Sequence, residues 1–136
     1  MSNIEQTLSI IKPDAVERKL ENEIKEMFKN TGFNIHKEKK IQITKSEAEQ
    51  FYKVHETKPF YNDLCAYLSS GPILVMILEK ENAVEEWRKL MGATDSQKAE
   101  IGTIRNKYGT DVSMNATHGS DSNENAIKEI NFFFND

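Results

Sequence analysis

The sequence predicts an α/β sandwich in which helices pack over one mostly antiparallel sheet. Short β-branched runs alternate with longer segments of helical periodicity, and glycine or proline separates several of them. The length of 136 residues fits one domain of ordinary size. The order is β-α-β-α-α-β-α, then a long polar segment, a short element and a final helix. We therefore expect a single domain over residues 1–136.

The chain begins with a strand and a helix. Thr7–Ile11 is short and β-branched, and Pro13 ends the strand at Lys12. Gly32 suits the C-cap of the helix that follows. The apolar stripe of that helix consists of Leu20, Ile24, Met27 and Phe28. A second strand with a largely charged outer face is expected around Phe33, Ile35, Lys37, Ile41 and Ile43.

The middle of the chain contains two short helices and a buried strand. Thr44 and Glu47 form a T-x-x-E capping box, which starts a helix through Tyr52. After Pro59, a second helical segment has Phe60, Leu64 and Tyr67 on one side. Gly71 and Pro72 then break the chain before ILVMIL, which is typical of a central strand buried on both faces.

The last third has two helices separated by a long connection. A helix over Ala83–Met91 is expected to end at Gly92. The chain from Ala93 to Thr117 is polar and irregular, and a connection of this length is uncommon unless it is functional. Propensity predicts no strand near residues 115–119. Asp121 is the expected cap of a C-terminal helix with Ala126, Ile127, Ile130, Phe133 and Phe134.

The composition excludes several classes of protein. Eighteen Lys and Arg against 22 Asp and Glu give a net charge of −4, which disfavours nucleic-acid binding as the main role. The longest apolar run is far shorter than the ~20 residues that span a bilayer. Cys65 is the only cysteine, which excludes an intrachain disulfide and a Cys-based zinc site. The start, MSNIEQ, lacks a secretory signal, so we expect a cytoplasmic protein.

Familiar motifs of phosphate and hydrolase chemistry are absent. The sequence has no G-x-x-x-x-G-K-[ST], no G-x-G-x-x-G and no G-x-S-x-G. His36, His55 and His118 lie too far apart in sequence to form a helical metal-ligand pair. The chemistry must therefore come from another arrangement of residues.

His118 is the strongest candidate for a reactive residue. It lies in N-A-T-H-G-S-D-S, which indicates an exposed turn with an accessible imidazole. Ser120 and Ser122 can hydrogen-bond nearby oxygens, and Glu129 on the next helix can orient the ring. Most loop histidines are simply solvated, so the functional interpretation requires partners.

Three cations and one aromatic residue are candidate partners. Lys12 ends a strand, where ligands of open α/β folds often gather, and Arg88 lies on a predicted helix. Arg105 lies in a glycine-bearing loop, a poor place for a structural ion pair. Each could also be an ordinary surface cation. Phe60 is a candidate for stacking on a base, although aromatics at helical spacing more often belong to a core.

Six stretches of the chain resemble the nucleoside diphosphate kinases. They are TLSIIKPDAV, FYKVHETKPFY, SSGP, RKLMGAT, GTIR and NATHGSDS, which occur in the family's order and spacing from Thr7 to Phe134. The last stretch is highly specific. The resemblance implies a ferredoxin-like βαββαβ core, with a four-stranded antiparallel sheet covered by helices.

The resemblance also implies a reaction. Members of the family transfer the γ-phosphoryl group of a nucleoside triphosphate, mainly ATP, to nucleoside diphosphates by a ping-pong mechanism, and His118 matches the histidine that is phosphorylated. Mg²⁺ is expected on the nucleotide phosphates, with no protein ligand that we can name. The implied partners are these nucleotides and further copies of the chain, in a tetramer or hexamer, with no membrane.

Individual roles follow from the same resemblance. Tyr52 would support Lys12 and the phosphate end of the nucleotide, while Ser120 and Glu129 would steady His118. In the nucleotide site, cationic side chains would hold the phosphates, an aromatic ring would stack on the base, and polar groups would bind phosphate or sugar oxygens. These residues are Lys12, Arg88 and Arg105 for the phosphates, Phe60 for the base, and Thr94 and Asn115 for the oxygens.

Three positions depart from the family pattern. Ser96 stands where proline is common, so the loop loses a fixed φ and the stability of the assembly is in question. Asn22 replaces a common glycine, with little expected consequence. The chain stops at Asp136 without the longer tail of many hexameric members, which favours a short bacterial-type form, such as a tetramer.

Two other functions use the same residues. A catalytically silent relative could serve as a nucleotide sensor or a partner-binding subunit, although every matching position holds the expected residue type. Phospho-His118 could also donate its phosphoryl group to another protein. Phosphate label that appears on the chain and then leaves on a nucleoside diphosphate would distinguish the enzyme from the sensor.

Overall fold

Four antiparallel strands form one sheet in the computed structural model, which describes residues 4–110 and 115–134. The strands stand in the order β2-β3-β1-β4, so β1 and β3 are central. Their bounds are Ile4–Ile11 for β1, Asn34–Ile41 for β2, Ile73–Glu81 for β3 and Thr117–Gly119 for β4. The antiparallel sheet covered by helices is confirmed, and β1 begins three residues earlier than predicted.

Seven α-helices connect and cover the strands within the described ranges. They are α1 Pro13–Glu17, α2 Glu21–Asn30, α3 Lys45–Phe51, α4 Tyr61–Leu68, α5 Ala83–Met91, α6 Ile104–Tyr108 and α7 Asn123–Phe133. Two short 3-10 turns cover Lys53–His55 and Ser96–Lys98. No helix in these ranges has the length and hydropathy to cross a membrane.

The sheet has one hydrophobic core on each face. Successive side chains of a strand point to opposite faces, so Leu74 and Met76 of β3 join one core while Ile73 and Val75 join the other. The first core includes side chains from α1, α2, α5 and α6, and the second includes side chains from α3, α4 and α7. Burial on both faces explains the uninterrupted apolar run of β3.

Local signals fix several helix ends as predicted. The capping box of α3 is complete, because the Glu47 N–H donates to Thr44 Oγ1 at 3.1 Å and the Thr44 N–H donates to Glu47 Oε1 at 2.9 Å. Gly32 and Gly92 follow α2 and α5 with φ of 97° and 87°. Glycine adopts these left-handed values without steric cost, so each chain segment can turn there.

Three expectations about the last third of the chain were wrong. The polar connection contains α6, whose N-cap Thr103 accepts a hydrogen bond from the Asn106 N–H, so Arg105 lies on a helix and not in a loop. Residues 111–114 of that connection lie outside the described residues. The cap of α7 is Ser122, not Asp121, because Ser122 Oγ accepts from the Asn125 N–H at 3.1 Å.

The third error concerns the strand that carries His118. β4 is only three residues long and has no apolar pattern of its own. It is a strand because it pairs with β1, with His118 opposite Ile10 and Gly119 opposite Ser9. The predicted exposed turn is therefore an edge strand.

Candidate active site

A cleft of about 1150 Å³ contains nine of the ten residues selected from the sequence. Its volume is slightly above the range of about 300–1,000 Å³ that is typical of small-molecule sites. The nine are Lys12, Tyr52, Phe60, Arg88, Thr94, Arg105, Asn115, His118 and Glu129. The tenth, Ser120, is fully buried behind Glu129. Residues from distant parts of the sequence thus line one cleft.

The His118 side chain is fixed by its neighbours and only 18% exposed. Its Nε2 lies 2.8 Å from Glu129 Oε1, and Ser120 Oγ donates to the same oxygen at 2.9 Å. The Trp87 indole N–H donates to the His118 carbonyl at 3.2 Å, which holds the backbone. The ring of Phe51 packs edge-on against the imidazole, with centroids 5.2 Å apart.

The position of Glu129 determines which ring nitrogen can react. An ionised carboxylate only accepts hydrogen bonds, so in the neutral imidazole the proton is on Nε2. Nδ1 then keeps its lone pair. An imidazole nitrogen with a free lone pair is chemically able to act as a nucleophile, and the Glu129 carboxylate lies where it can stabilise positive charge on the ring.

Lys12 is a buried cation beside the histidine strand. It is 5% exposed, and its Nζ donates to Asn115 Oδ1 at 2.9 Å. The pKa of Lys12 is lowered to about 8, first by burial and then by the charge of Arg105, against the opposing effect of Asp14. A buried ammonium with one neutral acceptor is poorly compensated, so a bound anion would stabilise it.

Arg105 is the second buried cation, and two backbone carbonyls hold its guanidinium. Nη1 donates to the Gly92 carbonyl and Nη2 to the Thr117 carbonyl, each at 3.0 Å. Burial lowers the pKa of Arg105 to about 10, and the charge of exposed Arg88 acts in the same direction, while Tyr52 opposes it. The cations therefore repel one another in the absence of a ligand.

Three buried polar atoms in the cleft wall have no hydrogen-bond partner within the described part of the chain. They are the Tyr52 hydroxyl, Arg105 Nε and His55 Nδ1. Each such atom costs about 1–3 kcal/mol when it stays unpaired, so a polar ligand would gain from binding here. The Tyr52 hydroxyl makes no hydrogen bond to Lys12, and burial, followed by the Glu129 charge, raises the pKa of Tyr52.

The outer end of the cleft is aromatic and open. Phe60 is 48% exposed, and the Lys58 ammonium lies 5.7 Å from its ring centroid. Thr94 is exposed, and its carbonyl accepts a hydrogen bond from Asn115 Nδ2 at 3.1 Å. Phe60 thus presents a free ring face at the rim, away from the buried cations.

Gly119 lets helix α5 approach the histidine strand. A Cβ at this position would lie 2.2 Å from Trp87 Cδ1 and 2.7 Å from Met91 Cε, distances that side chains do not tolerate. Glycine is required here because of close packing, not because of a special φ. The absence of a side chain brings Trp87 near enough to bind the His118 carbonyl.

Sequence reasoning missed three residues of this site. Phe51 contacts the imidazole of His118, and Trp87 binds its carbonyl. His55 lines the cleft and packs its ring 6.2 Å from Tyr52 and 6.3 Å from Phe60. The spacing Tyr52-x-x-His55-x-x-x-x-Phe60 was a signal, since all three lie in one resembling stretch.

The arrangement suits anion transfer rather than resident-metal chemistry. The described residues contain no group of three or more His, Cys, Asp or Glu placed to coordinate a metal. They do place a nucleophilic imidazole among Lys12, Arg88 and Arg105 in one cleft. Positioning and charge stabilisation are what phosphoryl transfer requires of a protein.

Comparisons with known proteins agree with this chemistry. Residues 5–136 match the sequence model of the family described as nucleoside diphosphate kinase. The chain is 51% identical over 131 residues to the nucleoside diphosphate kinase of Geotalea uraniireducens, covering 96% of each chain.

Solved structures give the same result. The Aquifex aeolicus nucleoside diphosphate kinase superposes with a TM-score of 0.94 and 41% identity, covering 97% of this chain and 96% of that one. The Halobacterium salinarum nucleoside diphosphate kinase in complex with CDP also has a TM-score of 0.94, with 38% identity over 98% of this chain and 90% of that one.

Proposed function

The chain belongs to the nucleoside diphosphate kinase family, and on that premise we propose that His118 carries the phosphoryl group between nucleotides. The chain is a nucleoside diphosphate kinase by function, a phosphotransferase that acts on nucleotides. The observation that supports His118 is its Nε2 contact with Glu129 at 2.8 Å, which frees Nδ1 inside a cleft lined by cations.

The proposed reaction has two half-reactions. In the first, the Nδ1 lone pair attacks the γ-phosphorus of a nucleoside triphosphate, mainly ATP. The N–P bond forms while the bond from phosphorus to the β,γ-bridging oxygen breaks, and the nucleoside diphosphate leaves with that electron pair. In the second, a terminal oxygen of another nucleoside diphosphate attacks the phosphorus and the N–P bond breaks, which restores the imidazole.

Charged and polar groups bind the phosphates in this proposal. Lys12, Arg88 and Arg105 offset the negative charge of the phosphate oxygens, and the ligand in turn relieves their mutual repulsion. The unpaired Tyr52 hydroxyl and the unpaired Arg105 Nε–H donate to phosphate oxygens. These contacts replace the support of Lys12 by Tyr52 that was expected from the sequence.

The nucleoside end is bound with little selectivity. The base stacks on the exposed ring of Phe60, and every base offers a π-face of this kind. Thr94 and Asn115 bind phosphate or sugar oxygens. The halobacterial nucleoside diphosphate kinase was solved in complex with CDP, which supports nucleotide binding by this chain.

Mg²⁺ enters as part of the nucleotide substrate. The ion prefers phosphate and water oxygens, and the described residues have no carboxylate cluster built to hold it. The protein's contribution is to bind the metal–nucleotide complex through Lys12, Arg88 and Arg105. We further propose a cytoplasmic homo-oligomer, a tetramer or hexamer, without nucleic-acid binding as a main role.

Phosphate transfer tests the role of His118. The protein is incubated with ATP labelled with ³²P at the γ-phosphate and then given unlabelled GDP. We expect label that is lost in acid, survives alkali and leaves as GTP. His118→Ala should neither take up label nor turn over, because the imidazole that would accept the phosphoryl group is removed.

The matched control is His36→Ala. His36 is a half-exposed histidine of the opposite edge strand, and this variant should label as the parent does. Turnover retained in His118→Ala would overturn the assignment. A parent protein that binds ATP without taking up label would instead indicate a nucleotide sensor.

A further inference from the structure

Ala116 has a left-handed backbone, with φ of 72°, two residues before His118. Residues with a Cβ rarely adopt this conformation unless their surroundings hold them in it. The methyl group is fully buried in the core between the sheet and helices α1, α2, α5 and α6, so the conformation is not that of a surface loop. Some contact must therefore stabilise this turn.

Both backbone polar groups of Ala116 bind residues of the segment that follows β1. Its N–H donates to Asp14 Oδ2 at 3.2 Å, and its carbonyl accepts from the Lys12 N–H at 2.8 Å. Asp14 is thus the side chain that fixes the orientation of this peptide unit. Neither contact involves the reacting atoms.

Tyr67 of helix α4 holds the Asp14 carboxylate in place. The Tyr67 hydroxyl donates to Asp14 Oδ1 and accepts from the Asp14 N–H at 2.8 Å. The two carboxylate oxygens of Asp14 therefore have separate partners, Tyr67 on one side and Ala116 on the other. This Asp14–Tyr67 pair connects helix α4 to the turn before β4.

The residues on either side of Ala116 contact both buried cations. Asn115 Oδ1 accepts from Lys12 Nζ at 2.9 Å, and the Thr117 carbonyl accepts from Arg105 Nη2 at 3.0 Å. The pairing of β4 with β1 starts at Thr117, directly after the turn. A rotation of the Ala116 peptide would shift Lys12, Arg105 and the histidine strand relative to one another.

We propose that Asp14 and Tyr67 are positioning residues, which hold the left-handed Ala116 and thereby set the geometry of the cations around His118. The role rests on the proposed function of His118. Displacement of reacting groups by about 1 Å can slow a reaction by about 100-fold, so a positioning defect should appear in kcat more than in KM.

Asp14→Asn tests the proposal with a side chain of the same shape. Its one carbonyl oxygen can accept from Ala116 or from Tyr67, but it cannot serve both as the carboxylate does. We expect kcat for transfer from ATP to GDP to fall by about 10- to 100-fold, with KM changed by less than about threefold. Tyr67→Phe should lower kcat in the same direction by a smaller factor.

Rescue at position 116 separates positioning from a merely structural role. Glycine adopts a φ of 72° without the penalty of a Cβ, so it needs less support from Asp14. The double variant Asp14→Asn, Ala116→Gly should therefore recover kcat severalfold over Asp14→Asn alone. Asp63→Asn, an exposed carboxylate on the same helix as Tyr67, is the control that should retain the parent's kcat and KM.

The results that would overturn the proposal are specific. The proposal is wrong if Asp14→Asn has the kcat of the parent. It is also wrong if Asp14→Asn has a low kcat and the double variant Asp14→Asn, Ala116→Gly has the same low kcat. If Asp14→Asn does not unfold cooperatively, the same comparison is made with Tyr67→Phe and its Ala116→Gly double variant. His118→Ala is assayed in parallel: retained transfer there rejects the proposed function, whereas loss of transfer there with a normal Asp14→Asn rejects only the positioning role.

Discussion

Glu129 is the residue on which the reactive state of His118 depends. One of its oxygens, Oε1, accepts from both the imidazole and the Ser120 hydroxyl, so the carboxylate is held on one side while it orients the ring. A misplacement of reacting groups by about 1 Å can slow a reaction by about 100-fold, so the orientation of the ring bears directly on the rate. In the proposed reaction, the charge of Glu129 also favours the positively charged ring that forms when Nδ1 is phosphorylated.

Glu129→Gln should lower kcat by about 10- to 100-fold while the fold is retained. The amide keeps the size of the side chain but removes its charge, and it can present an N–H to Nε2, which would favour the wrong tautomer. Rapid-quench measurement of His118 phosphorylation by ATP checks this. The control is Glu124→Gln, an exposed carboxylate in the first turn of the same helix. An unchanged phosphorylation rate in Glu129→Gln would show that Glu129 does not orient the ring.

Strand β4 is the element whose position depends most on its neighbours. It has β1 on one side, and the packing of α5 against Gly119 determines how closely Trp87 approaches it. Because the strand is only three residues long, a small shift at Gly119 is transmitted to His118. The position of the catalytic side chain is therefore a property of this packing and not of the N-A-T-H-G-S-D-S segment alone.

Gly119→Ala should destabilise the protein by about 1–3 kcal/mol, the usual cost of overpacking, and lower kcat at the same time. The new Cβ would meet the Trp87 ring at 2.2 Å, so the ring or the strand must move. Urea unfolding and steady-state kinetics check the two effects. Gly71→Ala is the matched control, since its Cβ would lie 3.6 Å from Pro13 Cβ, an ordinary contact. Equal stabilities of the two variants would contradict this account.

Elements with an internal signal could be predicted from the sequence, and elements made by tertiary contacts could not. The capping box of α3, the breaks at Gly32 and Gly92, and the apolar run of β3 are local, and each was located correctly. β4 is a strand because it forms hydrogen bonds with β1. The two strands are more than 100 residues apart in sequence, so a local pattern around His118 does not reveal the pairing. The N-cap of α7 was misplaced by one residue, because Asp and Ser are almost equally good caps.

The candidate site was largely predictable because its residues lie in distinctive stretches that resemble one family. The sequence did not reveal how the side chains of the site contact one another. The unpaired Tyr52 hydroxyl, the two carbonyls that hold Arg105 and the contacts of His118 with Phe51 and Trp87 all depend on residues far apart in the chain.

At the scale of the whole molecule, the burial of charged Lys12 and Arg105 lowers the free energy of unfolding. Lys12 has a pKa of about 8 in the folded chain against 10.5 for an ordinary lysine, because burial disfavours its charge. Between these values the unfolded chain binds more protons than the folded one, so the free energy of unfolding increases with pH. The stabilisation is absent below pH 8 and develops as the pH rises towards 10.5.

The contribution of Lys12 to the free energy of unfolding should therefore rise by about 2 kcal/mol between pH 8 and pH 10, measured as the difference between the parent and Lys12→Met. Urea titrations at one protein concentration, followed by the fluorescence of Trp87, the only tryptophan, give this quantity. Lys12→Met should abolish most of the rise, because the titrating group is gone. The raised pKa values of Cys65 and Tyr52 act in the opposite direction, Cys65 already within this range, but they do so in both proteins and cancel in the difference. If the free energy of unfolding of Lys12→Met rose with pH by the same amount as that of the parent, groups other than Lys12 would be responsible for the rise.

The pairing of β1 with β4 also has a consequence for the timing of synthesis. Leu8 donates its N–H to the Ser120 hydroxyl, 112 residues along the chain, and the histidine reaches its carboxylate partner only on the last helix. A ribosome-bound chain that has not yet released Glu129 already has the cleft residues Lys12, Tyr52 and Phe60, but it lacks the carboxylate that orients His118. We therefore expect no phosphoryl transfer from a nascent chain until Glu129 has left the ribosome.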